Sequence, residues 1–229
     1  MRCWIREELE PGLNLAYEEA VLREGVEGGG FWLWRDAPSV IIGRNQIPEN
    51  EVSVGFAHAH GIQVYRRRTG GGAVFHDGGV INFSFVVPSS CQVRDLLEAV
   101  LDSLCIGGAV SDRNDVQYRG FKVVGTAQRV LGVRRLFHGS ILYDANLEVL
   151  ASVLTPNAAK LIRHGVASVA ARVANLKDLA HLELSTEEYL RVVSDRIVSA
   201  RNWEMSVPVR PIAGIAPFAP CALQETVHA

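Results

Sequence analysis

Three features of the sequence predict an α+β (α/β) protein. Short apolar runs rich in β-branched and aromatic residues, such as Val80–Val87, have strand character. Between them lie stretches with helical spacing, Asn14–Glu24 and Gln92–Cys105 among them. Clusters of glycine and proline separate the two kinds. The 229 residues suffice for one large domain or two small ones.

In chain order, residues 1–8 hold a short strand, and Glu10-Pro11-Gly12 breaks it. In the helix Asn14–Glu24, Leu15, Ala16, Ala20, Val21 and Leu22 fall near one face, with Glu18 and Glu19 outside. Gly28-Gly29-Gly30 ends it. Strands Phe31–Arg35 and Ser39–Ile42 flank the turn Asp36-Ala37-Pro38. A short helix over Val52–His60 stops at Gly61, and Ile62–Arg66 is the next strand. Residues Ala73–Val87 read as one further strand. The helix Gln92–Cys105 has the apolar stripe Leu96, Leu97, Val100, Leu101 and Leu104. A hairpin follows, turning at Gly132-Val133-Arg134-Arg135, with His138–Tyr143 as its second strand. Two short helices precede Ser168–Asn175. A longer helix over Ser185–Ser199 opens on a capping box, Ser185 with Glu188. The expected division is a domain over 1–205 and an extended, proline-rich tail over 206–229.

Composition excludes several function classes. The chain is 48% hydrophobic and 21% charged, as ordinary globular proteins are. A net charge of −2 gives no reason to expect nucleic acid or an acidic membrane as partner. Acidic residues near the N-terminus stand where a signal peptide needs an apolar core, so a cytoplasmic protein is expected. Cys3, Cys91, Cys105 and Cys221 show no metal or redox spacing. Cys91 precedes a helix, where a thiolate would be favoured, although an inert thiol fits as well. Among 23 basic residues only Lys122, Lys160 and Lys177 are lysine.

Two stretches carry chemistry. The first is Val64–Pro88, where Arg66-Arg67-Arg68 lead into Gly70-Gly71-Gly72. Without Cβ atoms the backbone there can take positive φ and admit a ligand closely, and guanidinium groups suit carboxylates and phosphates. A glycine bulge between strands is the alternative. Ala73-Val74 stands where a Walker A loop needs its lysine and hydroxyl, and no helix follows as a dinucleotide fingerprint requires. The second stretch is Asp112–Asp144, with Arg113-Asn114-Asp115 and then Lys122 on a strand. By period two, Lys122 shares a face with Val124. A solvated strand lysine is the alternative for Lys122, and a solvated turn for Gly43-Arg44-Asn45-Gln46.

Taken together, these motifs resemble the lipoate–protein ligase A family, within the biotin/lipoate ligase and lipoyl/octanoyl transferase superfamily. The matching segments are Ile42–Gln46, Arg67–Asp77, Asn82–Phe85, Arg113–Asp115, Gly120–Ala127, Phe137–Ser140 and Ser168–Leu176, in the family's order. The resemblance implies a mixed β-sheet with flanking helices, a class II synthetase-like catalytic domain. It also implies that lipoate and ATP form lipoyl-AMP, with Mg²⁺ bridging the phosphates. A lysine of a lipoyl domain then receives the acyl group, on a 2-oxoacid dehydrogenase E2 component or a glycine cleavage H protein. Lys122 is the family's catalytic lysine by position. Arg67, Thr69, Gly70, Gly71, Gly72, Ala73 and His76 form the adenylate-binding loop. Asn82 and Asp115 are polar anchors, Asp115 also a candidate metal ligand. Gly125, Thr126, Ala127, His138 and Gly139 complete the site. Val74, Phe75 and Val123 suit an apolar tunnel for the acyl chain.

Longer family members carry a C-terminal accessory domain in the same chain or as a separate protein. No such domain is expected here, which leaves a separate accessory subunit open. The transferases use a cysteine beyond the HG strand, and residues 138–175 contain none. Two other readings stay open: a transferase working from a thioester donor through Cys91, and a non-catalytic acyl-binding relative.

Overall fold

Glu10 caps the first helix, which starts at Pro11, three residues before the sequence pattern does. Its carboxylate accepts hydrogen bonds from the Gly12 and Leu13 amides, and Pro11 at the first helical position has no amide to leave unpaired. The computed structural model describes residues 1–154, 172–209 and 215–223. Strand β1 (Arg2–Ile5) precedes this helix, α1 (Pro11–Glu24). Gly25, at φ +80°, closes α1 upstream of the glycine triplet.

Strands β2 (Gly30–Trp34) and β3 (Ser39–Ile42) match the expected pair. The helix expected at Val52–His60 is present as α3 (Val54–Ala59), and a further single turn, α2 (Pro48–Glu51), precedes it. Next come β4 (Gln63–Arg66), β5 (Val74–His76) and β6 (Val80–Pro88). The last two were one strand by pattern. The turn after His76 divides them, and they belong to different sheets. Gly79 allows that turn, because a Cβ there would overlap the backbone of Asp144.

Helix α4 (Val93–Leu104) buries the stripe of Leu96, Leu97, Val100 and Leu104. Strands β7 (Ala109–Val110) and β8 (Val116–Tyr118) lead into the hairpin β9 (Phe121–Leu131) and β10 (Arg134–Leu142). Helices α5 (Leu147–Val153), α6 (Leu176–Leu179) and α7 (Thr186–Arg201) follow, then β11 (Glu204–Met205). The capping box of α7 is formed by Ser185 and Glu188. Lys160 and residues 168–171 lie outside the described residues.

The larger sheet has the order β11-β1-β2-β6-β10-β9-β8-β7 and is mixed: β1 runs parallel to β11 and β2, and the remaining pairs are antiparallel. The smaller sheet is β4-β3-β5. Alternation divides the faces of the large sheet. Phe31, Phe83, Phe85, Phe137 and Ile141 pack on one side with α4 and α7. On the other side α1 lies over rows set by the strand register. Trp34, Asn82, Ser140 and Gly125 form one row, and Trp32, Ser84, His138 and Ala127 the next. Polar residues at the centre of a sheet are costly unless something pairs with them, and these rows floor the site.

Candidate active site

A cavity opens between α1, the glycine loop and the polar rows of the large sheet. Its apolar wall includes Leu15, Trp34, Ile41, Ala73 and Val74. Its polar parts come from Asn82, Ser140, His76, His138 and Lys122. Arg67, Gly72, Gly125, Thr126, Ala127 and Gly139 complete the lining. Two expected tunnel residues lie elsewhere. Val123 is fully buried in the core beneath the sheet, and Phe75 packs into the small-sheet cluster.

Lys122 reaches the cavity by a route that strand periodicity misses. Val124 pairs with Val116, yet Lys122 pairs with Gln117, so Val123 is the extra residue of a β-bulge. The bulge reverses the alternation. Val123 and Val124 both point into the core, and Lys122 shares the cavity side with Gly125 and Ala127 instead of with Val124. The lysine chain lies across Gly125, where a Cβ would stand 3.1 Å from Cε and 3.3 Å from Nζ. Asp115 does not line the cavity. It holds the ammonium by an ion pair of 2.9 Å. Thr126 Oγ1 donates to the Asn114 carbonyl at 2.6 Å, tying this turn to β9. The Lys122 amide donates to the Arg172 carbonyl at 2.9 Å, so the 172–176 segment braces the strand.

Arg67 was expected to face a ligand, but its guanidinium mainly holds the loop together. It donates to the carbonyls of Ile41 (2.9 Å), Gly70 (2.6 Å) and Gly72 (2.7 Å), and to Thr69 Oγ1 (3.0 Å). A planar fork suits several carbonyls at once. Burial, offset in part by Glu18, lowers its pKa to about 10, which leaves it cationic at neutral pH. Arg66 likewise binds the carbonyls of Gly43, Arg44 and Gln46. Arg44-Asn45-Gln46 is thus the second half of a two-loop unit.

Thr69, Gly70 and Gly71 stand behind the lining. Gly71, at φ +90°, is the residue of the triplet in the left-handed region, and a Cβ there would come 2.9 Å from Arg67 Nη2. Gly43 lacks a Cβ for a related reason, since one would overlap the Gly71 carbonyl. Gly71→Val should therefore keep the sheets, yet disorder the loop and abolish ligand binding. Calorimetric titration beside circular dichroism checks this, and parental affinity would refute it.

Two carboxylate–imidazole chains support the floor. Glu18, 2% exposed, accepts from His138 Nδ1 at 2.8 Å and from the Ser84 hydroxyl. With its proton on Nδ1, His138 accepts the Thr69 hydroxyl at Nε2, 2.8 Å away. Asp36, 1% exposed, accepts from His76 Nδ1 at 2.8 Å, and His76 Nε2 lies 2.9 Å from Ser140 Oγ. Ser140 also reaches Asn82 Oδ1 at 2.7 Å, while Asn82 Nδ2 is buried with no partner among the described residues. A buried donor without an acceptor is costly, and this one is on a cavity-lining residue.

Glu18, Asp36 and Ser140 were not among the site residues named from the sequence, and Glu18 and Glu19 were placed off the apolar face of α1. Both are buried. Glu19 pairs with Arg23 and Arg129. Gly139 has a packing reason, because a Cβ would come 2.6 Å from the Phe83 ring. None of the four cysteines lines the cavity. Burial pushes the Cys3 thiol up to about 11 and raises those of Cys105 and Cys221. Cys91 packs against the core on the α4 side of the sheet.

The described residues contain no group of three or more His, Cys, Asp or Glu able to hold a metal ion. No helix among them is long and apolar enough to cross a membrane.

The model of the lipoyl protein ligase A/B catalytic domain matches residues 10–198. Lipoate–protein ligase 1 of Staphylococcus aureus is 34% identical over 192 residues, which cover 80% of this chain and 58% of that protein. A bi-partite lipoate protein ligase from Thermoplasma acidophilum, described with its E2 lipoyl domain, is 30% identical, with a TM-score of 0.76 over 90% of this chain and 85% of that one. A lipoate–protein ligase A bound with ATP is 28% identical, with a TM-score of 0.74 over 90% and 87% of the two chains. The chain spans little more than half the length of the curated ligases it matches. It belongs to the lipoyl protein ligase A/B catalytic domain family.

Proposed function

We propose that this protein activates lipoate with ATP to lipoyl-AMP and transfers the lipoyl group to a lysine of a lipoyl domain. The observation that carries this reading is a cavity with an apolar wall and a lysine at its polar part, held at 2.9 Å by Asp115. Lipoate has the matching form, an apolar chain ending in a carboxylate. A carboxylate attacking the α-phosphate of ATP meets charge repulsion, and a positioned ammonium offsets it. The Lys122 ammonium would lie between the two groups, and Asn82 Nδ2 would donate to a substrate oxygen. Pyrophosphate leaves, the acceptor amine attacks the acyl carbonyl, and AMP leaves. The names of the ATP-bound and E2-associated relatives support nucleotide and lipoyl-domain recognition.

Asp115 offers one carboxylate, which fits a Mg²⁺ ion that takes its other ligands from nucleotide phosphates and water. Such an ion would neutralise phosphate charge. The acceptor would be a 2-oxoacid dehydrogenase E2 component or a glycine cleavage H protein. The bi-partite T. acidophilum ligase supports a separate accessory subunit as partner. In this reading residues 1–205 form the catalytic domain.

Lipoate-dependent pyrophosphate release, with mass spectrometry of a lipoyl domain, tests the proposal with and without cell extract. Replacing all four cysteines by serine or alanine should leave acyl transfer intact. A hydroxylamine-sensitive acyl adduct on Cys91 would favour transfer from a thioester donor instead.

A further inference from the structure

We infer that residues 215–223 form a strap that backs the acyl-binding site, with Phe218 as a positioning residue that sets its apolar wall. This rests on the acyl-binding reading above. The sequence suggested only an extended tail, and these residues form no helix or strand. They are nonetheless fastened at four places. Ile215 packs against the cluster under α1, Phe218 joins Leu15, Ile41 and Tyr65, and Cys221 and Leu223 pack on the small sheet. The Phe218 amide donates to the Gly12 carbonyl at 3.0 Å, and the Cys221 amide to the Val64 carbonyl at 2.6 Å. The second bond covers part of the open edge of β4.

Leu15, Ile41 and Val74 have two neighbours that matter. They line the cavity, and they belong to the cluster in which Phe218 packs. The same side chains thus face the cavity and pack with the strap, which backs the wall. Removing a ring from such a layer leaves a void into which neighbouring side chains relax, so the cavity loses its shape. Phe218 also reaches the glycine loop. The Arg68 guanidinium carbon lies 5.1 Å from its ring centroid, a cation–π contact that occupies the third arginine of the loop. Two walls of one cavity therefore depend on a single aromatic residue.

Gly12 is an independent handle on the strap. A Cβ at this position would overlap the Phe218 carbonyl oxygen, so the close approach of strap to helix requires glycine. Gly12→Ala would displace the strap while every cavity-lining residue stays unchanged; its Cβ would also stand 3.0 Å from the Glu10 carboxylate that caps α1, so Phe218→Ala is the companion that leaves the cap untouched.

The test compares the 229-residue parent with Phe218→Ala, Phe218→Leu, Gly12→Ala and Val207→Ala. Val207 is 80% exposed in the tail and serves as the control. Circular dichroism establishes that each is folded. Phe218→Ala and Gly12→Ala should raise KM for lipoate and octanoate about 10-fold, the scale of small misfits in an apolar pocket, with kcat within about two-fold. Discrimination between octanoate and decanoate should weaken. Phe218→Leu should recover most of the loss, and Val207→Ala should match the parent. Hydrogen exchange at residues 66–74 should quicken in both disruptive variants, a readout that needs no acyl substrate. If a folded Phe218→Ala or Gly12→Ala shows parental KM and parental exchange in the loop, the inference is overturned. Faster loop exchange in both variants of a parent that itself binds no acyl chain would keep the strap's hold on the loop and sink the substrate reading instead.

Discussion

Lys122→Ala should slow acyl-adenylate formation by about 10²–10³, the usual cost of removing one preorganised charge contact from a transition state. The loss should fall mainly on kcat, since the ammonium opposes repulsion that is greatest as carboxylate and phosphate meet. Lys122→Arg should fail as well. A compact ammonium lies across Gly125, and a planar fork has a different reach and shape. Gly125→Ala should give a milder version of the same defect by pushing Cε and Nζ aside. Lys177→Ala is the control. Its ammonium pairs with Asp144 at 2.6 Å, and it does not line the cavity. Single-turnover pyrophosphate release measures all four, and parental rates in Lys122→Ala would exclude the assigned role.

The second large effect is expected at Glu18. Glu18→Ala removes the acceptor of the Ser84 hydroxyl and of His138 Nδ1–H, and the negative charge that offsets burial of Arg67. Leaving buried donors without their acceptor costs roughly 1–3 kcal/mol each. Glu18→Gln keeps an acceptor oxygen and should cost less. Urea denaturation with both variants checks the order. A midpoint for Glu18→Ala equal to that of the parent would show that the chain of bonds beneath the glycine loop contributes little.

Much of this was legible in the sequence where the signal is local. The capping box of α7, the stripe of α4, the β9–β10 hairpin and the glycine loop each announce themselves within a dozen residues. Three features are not local. Glu18 and Glu19 look solvent-facing on a helical wheel because the partners that bury them, Ser84, His138 and Arg129, are 66 to 120 residues away along the chain for Glu18 and 110 for Glu19. Periodicity places Lys122 with Val124 because a bulge leaves no mark in an alternating pattern, and the β8 register alone reveals it. The split of Val74–Val87 between two sheets likewise depends on the close pass of Gly79 by Asp144. The glycine loop has a further lesson. Its arginines read as ligand contacts, yet Arg66 and Arg67 bind loop carbonyls and Arg68 stacks on Phe218.

Chemically prepared lipoyl-AMP bypasses adenylation and any subunit that adenylation needs. The most direct measurement is its reaction with a lipoyl domain in the presence of this protein, followed by intact mass spectrometry. The acceptor should gain one lipoyl group on lysine with the parent, far faster than without protein, and Lys122→Ala should lose much less here than in adenylate formation from lipoate and ATP. No transfer above the protein-free reaction while the parent remains folded would contradict the ligase reading.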